Sequence, residues 1–122
     1  KTCAERNIGT QIRGGLGQGV LTGSYSRDSR FTDAVRSSWN EGERHELFLR
    51  EIATAEKVKA LVTPERSMVD IVLAFVLAHP VVSCAIPGMK SPDQARANVA
   101  AAAVKLTDDE MATIREASAG LL

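Results

Sequence analysis

The segment 81–98 (VVSCAIPGMKSPDQARAN) has the sequence pattern of a strand, a glycine-containing turn and a helix start, an order that can bind an anion. Residues 81–86 form a short apolar run rich in β-branched side chains, which is typical of a strand buried on both faces. A turn containing Gly88 follows, and then Ser91-Pro92-Asp93-Gln94, the pattern of a capping box with proline in the first helical turn. This order places free backbone N–H groups and the positive end of a helix dipole in one turn, where they favour an anion.

Three side chains near this turn could recognise a phosphate and the group attached to it. Lys90 adds a mobile positive charge within the turn. Gln94 and Asn98 are four residues apart, so they share one helix face and lean back toward the turn. Each feature also has an ordinary interpretation, a common helix start flanked by solvated side chains. The local pattern leaves both interpretations open.

Glycine is densest at residues 14–19 (GGLGQG), and glycine allows a backbone to approach a ligand closely. The spacing is not that of a dinucleotide fingerprint, because the third glycine counted from Gly15 and Gly17 would fall at Val20. A Walker A loop is also excluded, because no Gly-Lys-Ser/Thr sequence closes the segment. The segment is predicted to be a flexible loop that could contact a ligand, although spacing alone favours a plain connector.

Strands and helices that alternate along the chain predict the α/β class with a parallel sheet. The predicted elements are, in order, a helix end at 1–7, a brief strand at 10–13, a polar excursion at 24–42, helices from 43 and 67, a strand at 81–86, and helices from 91 and 107. The excursion is expected to cover a site or to be partly disordered. The run 71–78 is apolar almost all round, which predicts a helix buried against the sheet.

Composition limits the classes of function. The chain has 122 residues, is 44% hydrophobic and carries a formal net charge of zero, which suits one domain-sized core. No basic run with interleaved aromatic residues indicates nucleic-acid binding, and no apolar run is long enough to indicate a membrane span. The two cysteines do not suggest a disulfide framework and favour a reducing, cytoplasmic compartment. The first residue is Lys1 and the opening reads like a helix end, so the chain is expected to begin within a longer protein.

Four motifs, in this order, resemble the C-terminal portion of the aldo-keto reductases. They are IGTQIRGGLGQGVLTG at 8–23, LAFVLAHP at 73–80, AIPGMKS at 85–91 with Gln94 and Asn98, and Leu106-Thr107. The resemblance covers nearly the whole chain and is strongest to the branch that contains bacterial and plant reductases and the potassium-channel β subunits. It implies a (β/α)₈ TIM barrel, of which residues 1–122 would form a single partial domain. This incomplete barrel would contain the last two strands, their helices and the C-terminal extra helix.

The resemblance also implies a cofactor and its contacts. The family reduces aldehydes and ketones with NADPH, bound extended across the C-terminal face of the barrel. Arg13 would lie over the nicotinamide ring. The pyrophosphate would be wrapped by the loop with Gly14, Leu16, Gln18, Gly19 and Arg30. Gly88 and Lys90 would bind the adenosine 2′-phosphate, and Gln94 and Asn98 would contact adenine. Three positions depart from the family. Gly15 replaces a usual proline, Ser24 a usual lysine and Ala97 a frequent glutamate, which would loosen the loop and remove two contacts.

The family's catalytic Asp, Tyr, Lys and His lie in its N-terminal half, and no stretch of this chain matches their motifs. The resemblance therefore implies that the chain lacks catalytic residues and reduces no aldehyde alone. An alternative function is a non-catalytic nucleotide-binding or scaffold fragment that acts through protein–protein contacts. Two parallel strands leave both sheet edges free, which predicts self-association or a complementing N-terminal half.

Overall fold

The computed structural model describes residues 1–121 and contains a two-stranded parallel sheet with five helices. The elements are α1 (Thr2–Glu5), β1 (Thr10–Arg13), α2 (Gly42–Lys59), α3 (Met68–Leu77), β2 (Val82–Ile86), α4 (Pro92–Ala100) and α5 (Asp108–Ser118). Short 3₁₀ segments occur at Gly17–Thr22, Ser37–Asn40, Ala101–Ala103 and Ala119–Leu121. Both predicted strands and the predicted helices are confirmed, and the chain is of the α/β class.

The two strands run parallel, with Arg13 opposite Ile86 at their carboxyl ends. Thr10 fixes the start of the pair, because its backbone N–H donates to Ser83 Oγ at 3.0 Å and its hydroxyl donates to the carbonyl of Val81. In a parallel pair the carboxyl ends meet at the same edge. The segments that follow Arg13 and Ile86 therefore leave the sheet side by side.

β2 is not buried on both faces, which corrects the prediction from its apolar sequence. Its residues are half-buried or exposed, and Ile86 is 48% exposed. The physical reason is that β2 packs mainly against α3 and pairs with β1 alone, so one of its faces and one of its edges are left largely uncovered among residues 1–121.

Helix α3 lies at the centre of the main core, as its apolar sequence predicts. Ile71 is fully buried and lies in one cluster with Val58 of α2 and Ile114 of α5. Ser67 caps the helix, since its Oγ accepts from the Asp70 N–H at 3.2 Å while the Asp70 carboxylate accepts from the Ser67 N–H at 2.7 Å. This reciprocal capping satisfies two backbone donors that a helix start otherwise leaves without partners.

The excursion 24–42 is organised around an aromatic cluster on α2. Phe31 and Trp39 are buried with ring centroids 5.3 Å apart, and Phe31 lies 5.4 Å from Phe48 of α2 in an edge-on arrangement. The Asn40 side chain closes the excursion by accepting from the Phe31 N–H at 2.9 Å and donating to the Phe31 carbonyl at 2.7 Å. The excursion therefore packs over the start of α2.

An ion pair joins the N-terminal ends of α3 and α5. The Arg66 guanidinium contacts the Glu110 carboxylate, which also accepts from the backbone N–H of Thr107 at 2.8 Å. The hydrogen bond from Arg66, together with that from Thr107, lowers the pKa of Glu110 from 4.5 to about 2. Folding therefore favours the ionised carboxylate.

We expect the free energy of unfolding to fall as the pH drops from about 4.5 toward about 2. A lowered pKa gives a contribution that is complete above the unfolded-state pKa and is lost as Glu110 becomes protonated in the folded chain. Urea unfolding at a series of pH values measures this dependence. Glu110→Gln removes the titrating group and should weaken it, whereas equal slopes for both proteins in this interval would contradict the assignment.

No helix within residues 1–121 is long and apolar enough to cross a membrane. Cys3 and Cys84 are both half-buried free thiols.

Candidate functional site

The candidate site lies at the carboxyl edge of the sheet. The glycine loop (residues 14–23) follows β1, and the β2–α4 turn (residues 87–91) follows β2. Because Arg13 and Ile86 are opposite each other, both segments start from the same edge. Parallel α/β folds bind ligands at this edge, where the loops after neighbouring strands converge.

The glycine loop has a defined conformation with several left-handed residues. The φ angles are +73° at Gly14, +56° at Gly17, +52° at Gln18 and +103° at Gly19. Backbone hydrogen bonds from the N–H of Gly17 to the carbonyl of Gly14 at 2.8 Å and from the N–H of Gly19 to the carbonyl of Leu16 at 3.0 Å close the turns. The loop is thus a folded segment, unlike the plain connector that spacing alone favours.

The Tyr25 ring packs directly over Gly19. A Cβ atom placed on Gly19 would lie 3.2 Å from the Tyr25 Cε2 and hydroxyl atoms. The Arg36 guanidinium donates to the Tyr25 hydroxyl and so restricts the position of the ring. The excursion therefore packs against the glycine loop through Tyr25 and restricts the position of the loop.

Gly19→Ala is expected to lower the free energy of unfolding by about 1–3 kcal/mol, because a side chain is strained at this φ angle and meets Tyr25. Urea unfolding measures the change. Gly120→Ala is the matched control, because a Cβ atom there meets nothing within 4 Å and its φ angle is not positive. Equal effects of the two substitutions would argue against the strained contact.

The β2–α4 turn is capped differently from the predicted capping box. Ser91 Oγ accepts from the Gln94 N–H at 3.2 Å, as predicted, but Gln94 Oε1 accepts from the Lys90 N–H at 2.7 Å instead of the Ser91 N–H. Asn98 Nδ2 also donates to the Gly88 carbonyl at 3.4 Å. Both amide side chains lean toward the turn, as expected, and they bond to its backbone.

Lys90 provides the positive charge at this turn. Its side chain is exposed and forms no ion pair with any carboxylate of residues 1–121. Its backbone N–H, however, is satisfied by Gln94. An anion bound here would therefore rely on the ammonium group and on the dipole of α4 more than on the Lys90 amide.

The structure does not bring every predicted residue to this edge. Nine of the ten lie on or beside the glycine loop and the β2–α4 turn: Arg13, Gly14, Leu16, Gln18, Gly19, Gly88, Lys90, Gln94 and Asn98. Arg30 lies instead in the excursion, where its exposed guanidinium donates to the Ser29 carbonyl at 3.1 Å. A polar cleft beside the glycine loop includes Gly14 and Gln18 in its lining, and Arg30 does not contribute to it.

A polar cleft of about 410 Å³ opens between the glycine loop and α2. It is lined by Gly14, Gly17, Gln18, Val35, Ser38, Trp39, Arg44 and Glu51. The Arg44 guanidinium lies 4.3 Å from the centroid of the Trp39 ring and donates to Glu51 at 3.1 Å. Sequence reasoning missed both charged residues, because charges on a helix usually mark a solvated face. Their spacing of seven residues, two helical turns, is the signal that could have paired them.

A second, apolar groove of about 350 Å³ lies at the amino end of β2. Phe75 and Val76 of α3, Val82 of β2 and Met111 of α5 are among its lining residues. Such an apolar lining is typical of a core surface that no other element covers, and further chain could pack there.

Comparison with known proteins decides the family. Residues 1–119 match the Aldo/keto reductase family. The chain belongs to this family. It is 30% identical over 118 residues to the aldo-keto reductase yakc [NADP(+)] of Schizosaccharomyces pombe, covering 96% of this chain and 35% of that protein. It is 29% identical over 112 residues to the uncharacterized oxidoreductase YqkF of Bacillus subtilis, covering 91% of this chain and 35% of that protein.

Solved aldo-keto reductase structures share the fold. The apo form of aldo-keto reductase AKR11C1 from Bacillus halodurans superimposes with a TM-score of 0.60 at 25% identity, covering 95% of this chain and 36% of that one. The holo form gives a TM-score of 0.64 at 26% identity, covering 95% and 35%. The resemblance identified from the motifs is therefore confirmed, and this aldo-keto reductase chain spans about a third of the length of the relatives it matches.

Proposed function

We propose that this chain is the cofactor-binding part of an NADPH-dependent aldehyde or ketone reductase. The observation that carries the proposal is the parallel register, which starts the glycine loop and the β2–α4 turn from one edge of the sheet. Family membership supports an oxidoreductase, and the yakc relative carries NADP(+) in its name. In this proposal residues 1–122 are one partial domain, comprising the last two strands of a TIM barrel with their helices.

The β2–α4 turn fits the 2′-phosphate of the cofactor. Lys90 offers an ammonium group without an acidic partner in the described part of the chain, and α4 directs its positive dipole end at the same turn. A Cβ atom built on Gly88 meets nothing within 4 Å, so the turn leaves open space for a ligand. A dianionic phosphate is the ligand that this charge and space suit best.

The glycine loop and the end of β1 would hold the rest of the cofactor. The left-handed backbone at Gly14, Gln18 and Gly19 brings main-chain atoms to the surface where a pyrophosphate could approach, and Leu16 lies between them. Arg13 ends β1 with an exposed side chain, which would lie over the nicotinamide. When bound, NADPH would supply a hydride from nicotinamide C4 to a carbonyl carbon.

The proposed adenine contacts of Gln94 and Asn98 carry a free-energy cost. Gln94 and Asn98 donate or accept hydrogen bonds within the turn, at 2.7 Å to Lys90 N–H and 3.4 Å to the Gly88 carbonyl. Contact with adenine would require these amides to exchange or share those bonds, which reduces the net gain in binding free energy. We expect modest affinity for this part of the cofactor.

Fluorescence titration with NADPH tests the proposal. Lys90→Ala should weaken NADPH binding by about 10–100-fold, the effect of losing a charge-assisted hydrogen bond to phosphate. NADH lacks the 2′-phosphate, so Lys90→Ala should change its binding little. Lys105 is another exposed lysine and lies outside the turn, so the Lys105→Ala variant should bind NADPH like the unmodified chain. Equal NADPH binding by the Lys90 variant and the unmodified chain would contradict the proposed site.

The uncovered sheet supports a second proposal, a scaffold or nucleotide-binding fragment that acts through protein contacts. β2 has one edge without a neighbouring strand in the described residues, Ile86 and Met89 are 48% and 50% exposed, and the apolar groove lies at the amino end of β2. Self-association or a complementing N-terminal half would cover these surfaces. Sedimentation tests this proposal, and a monomer that melts cooperatively would count against it.

A further inference from the structure

The polar cleft between the glycine loop and α2 contains a guanidinium that is held in place. Trp39 stacks against Arg44, and both outer guanidinium nitrogens donate to Glu51 Oε2 at 3.1 Å. The side chains of Arg44 and Glu51 are 30% and 22% exposed, so the pair is partly shielded from water. Two partners already restrict the rotamers of this long side chain, so binding a ligand would restrict it little further.

Arg44 retains hydrogen-bond donors that a ligand could use. A guanidinium has five N–H groups, and two of those on Arg44 donate to Glu51. The other N–H groups have no acceptor among residues 1–121. The planar arrangement of these donors matches two oxygens of one phosphate group.

The glycine loop forms the opposite wall of the cleft through Gly14, Gly17 and Gln18. The Leu16 N–H, next in sequence to the lining residue Gly17, donates to no acceptor in the described part of the chain. Leu16 has φ −96° and ψ 10° and is followed by the left-handed Gly17 at φ +56°. Such a pair turns the N–H groups of Leu16 and Gly17 toward one side, an arrangement that binds anions, and because Gly17 donates to the Gly14 carbonyl, the Leu16 N–H is the donor of this pair that remains for an anion.

No residue of the glycine loop carries a positive charge, since residues 14–23 contain no lysine or arginine. The cation that faces this loop across the cleft is therefore supplied by α2. We propose that Arg44 binds the diphosphate bridge of the dinucleotide, with Trp39 and Glu51 as its positioning residues. This inference rests on the proposed function and adds a phosphate-binding residue that lies outside both segments of the sheet edge. The Glu51 carboxylate balances the charge of Arg44, so Arg44 acts by direct hydrogen bonds and not by long-range attraction.

Calorimetric titration with NADPH and with 2′-AMP tests the inference. 2′-AMP carries adenosine and the 2′-phosphate but no diphosphate bridge. Arg44→Met is expected to weaken NADPH binding by about 10–100-fold and to leave 2′-AMP binding unchanged. Arg27→Met is the matched control, because Arg27 also pairs with a glutamate of α2, Glu56 at 3.0 Å, but does not line the cleft. It should bind both ligands like the unmodified chain.

A second variant keeps the test decisive if Arg44→Met fails to fold. Glu51→Gln keeps an amide oxygen that can still accept from the Arg44 guanidinium and removes only the negative charge beside the diphosphate, so NADPH should bind more tightly while 2′-AMP binding stays the same. If 2′-AMP binds but neither variant alters NADPH affinity, the role of Arg44 is overturned and the proposed function stands. If the unmodified chain binds neither ligand, the proposed function fails and the inference fails with it.

Discussion

Phe48→Ala is expected to lower the free energy of unfolding by about 3–5 kcal/mol, the usual cost of removing a buried aromatic ring. Phe48 is fully buried, and its ring lies 5.4 Å from Phe31 and 5.8 Å from Trp39. The remaining rings cannot fill the cavity without leaving their edge-on contacts. Urea unfolding followed by the fluorescence of the single tryptophan measures the loss directly.

Val99→Ala is the control for this substitution. Val99 is 75% exposed on α4, so shortening it should change the free energy of unfolding by less than about 0.5 kcal/mol. A comparable effect of the two substitutions would show that the aromatic cluster does not stabilise the chain. Because Trp39 supports Arg44, Phe48→Ala should also weaken NADPH binding when assayed under conditions in which the variant is folded.

Local sequence signals were sufficient to predict the helices and their starts. Ser67 and Thr107 are each followed three residues later by an acidic residue, Asp70 or Glu110, which is the pattern of a capping box. Both capping boxes are present in the structure. The apolar run within α3 predicted its burial, and Ile71 is fully buried. These features involve residues a few positions apart, so the sequence contains all the information needed to recognise them.

Features that depend on distant residues were not predictable. The excursion reads as polar, yet Phe31 and Trp39 meet Phe48 and organise it, a contact between segments that only the fold brings together. The Arg44–Glu51 pair becomes relevant to a site only because the glycine loop folds over the same helix. The apolar pattern of β2 indicated burial on both faces because a local pattern does not show which distant elements pack on a strand, and in the structure β2 contacts mainly β1 and α3.

The candidate site was predicted to the level of its segments but not of its hydrogen bonds. The strand–turn–helix order and the Ser91 cap are confirmed by the geometry. Which backbone N–H donates to the Gln94 side chain depends on the conformation of the turn before α4, and the sequence pattern does not specify that conformation. As a result Gln94 bonds to the Lys90 N–H, one position earlier than a capping box requires.

The purified chain is expected to show no detectable aldehyde reduction with NADPH. Carbonyl reduction needs a hydride donor and also a positioned acid that protonates the carbonyl oxygen, and the acid contributes typically about 10²–10⁴-fold to the rate. Orientation of the carbonyl against the donor contributes a further factor that can be larger. A chain that binds only the donor, as proposed for this one, would lack both contributions. The assay is the decrease in NADPH absorbance with a simple aldehyde, compared with a protein-free control.

The tyrosine and the two histidines, side chains that often act as general acids, are held in other contacts or lie away from the candidate site. The Tyr25 hydroxyl accepts from Arg36 and its ring covers Gly19, while His45 Nδ1 lies 2.7 Å from the Trp39 carbonyl. His79 lies at the amino end of β2, opposite the edge that carries the candidate site. Turnover that is lost in Tyr25→Phe would therefore identify Tyr25 as an acid and overturn the expectation. Turnover that persists in Tyr25→Phe but is lost in Lys90→Ala would overturn it as well, since the chain would then contain a catalytic group that neither its motifs nor its geometry identifies.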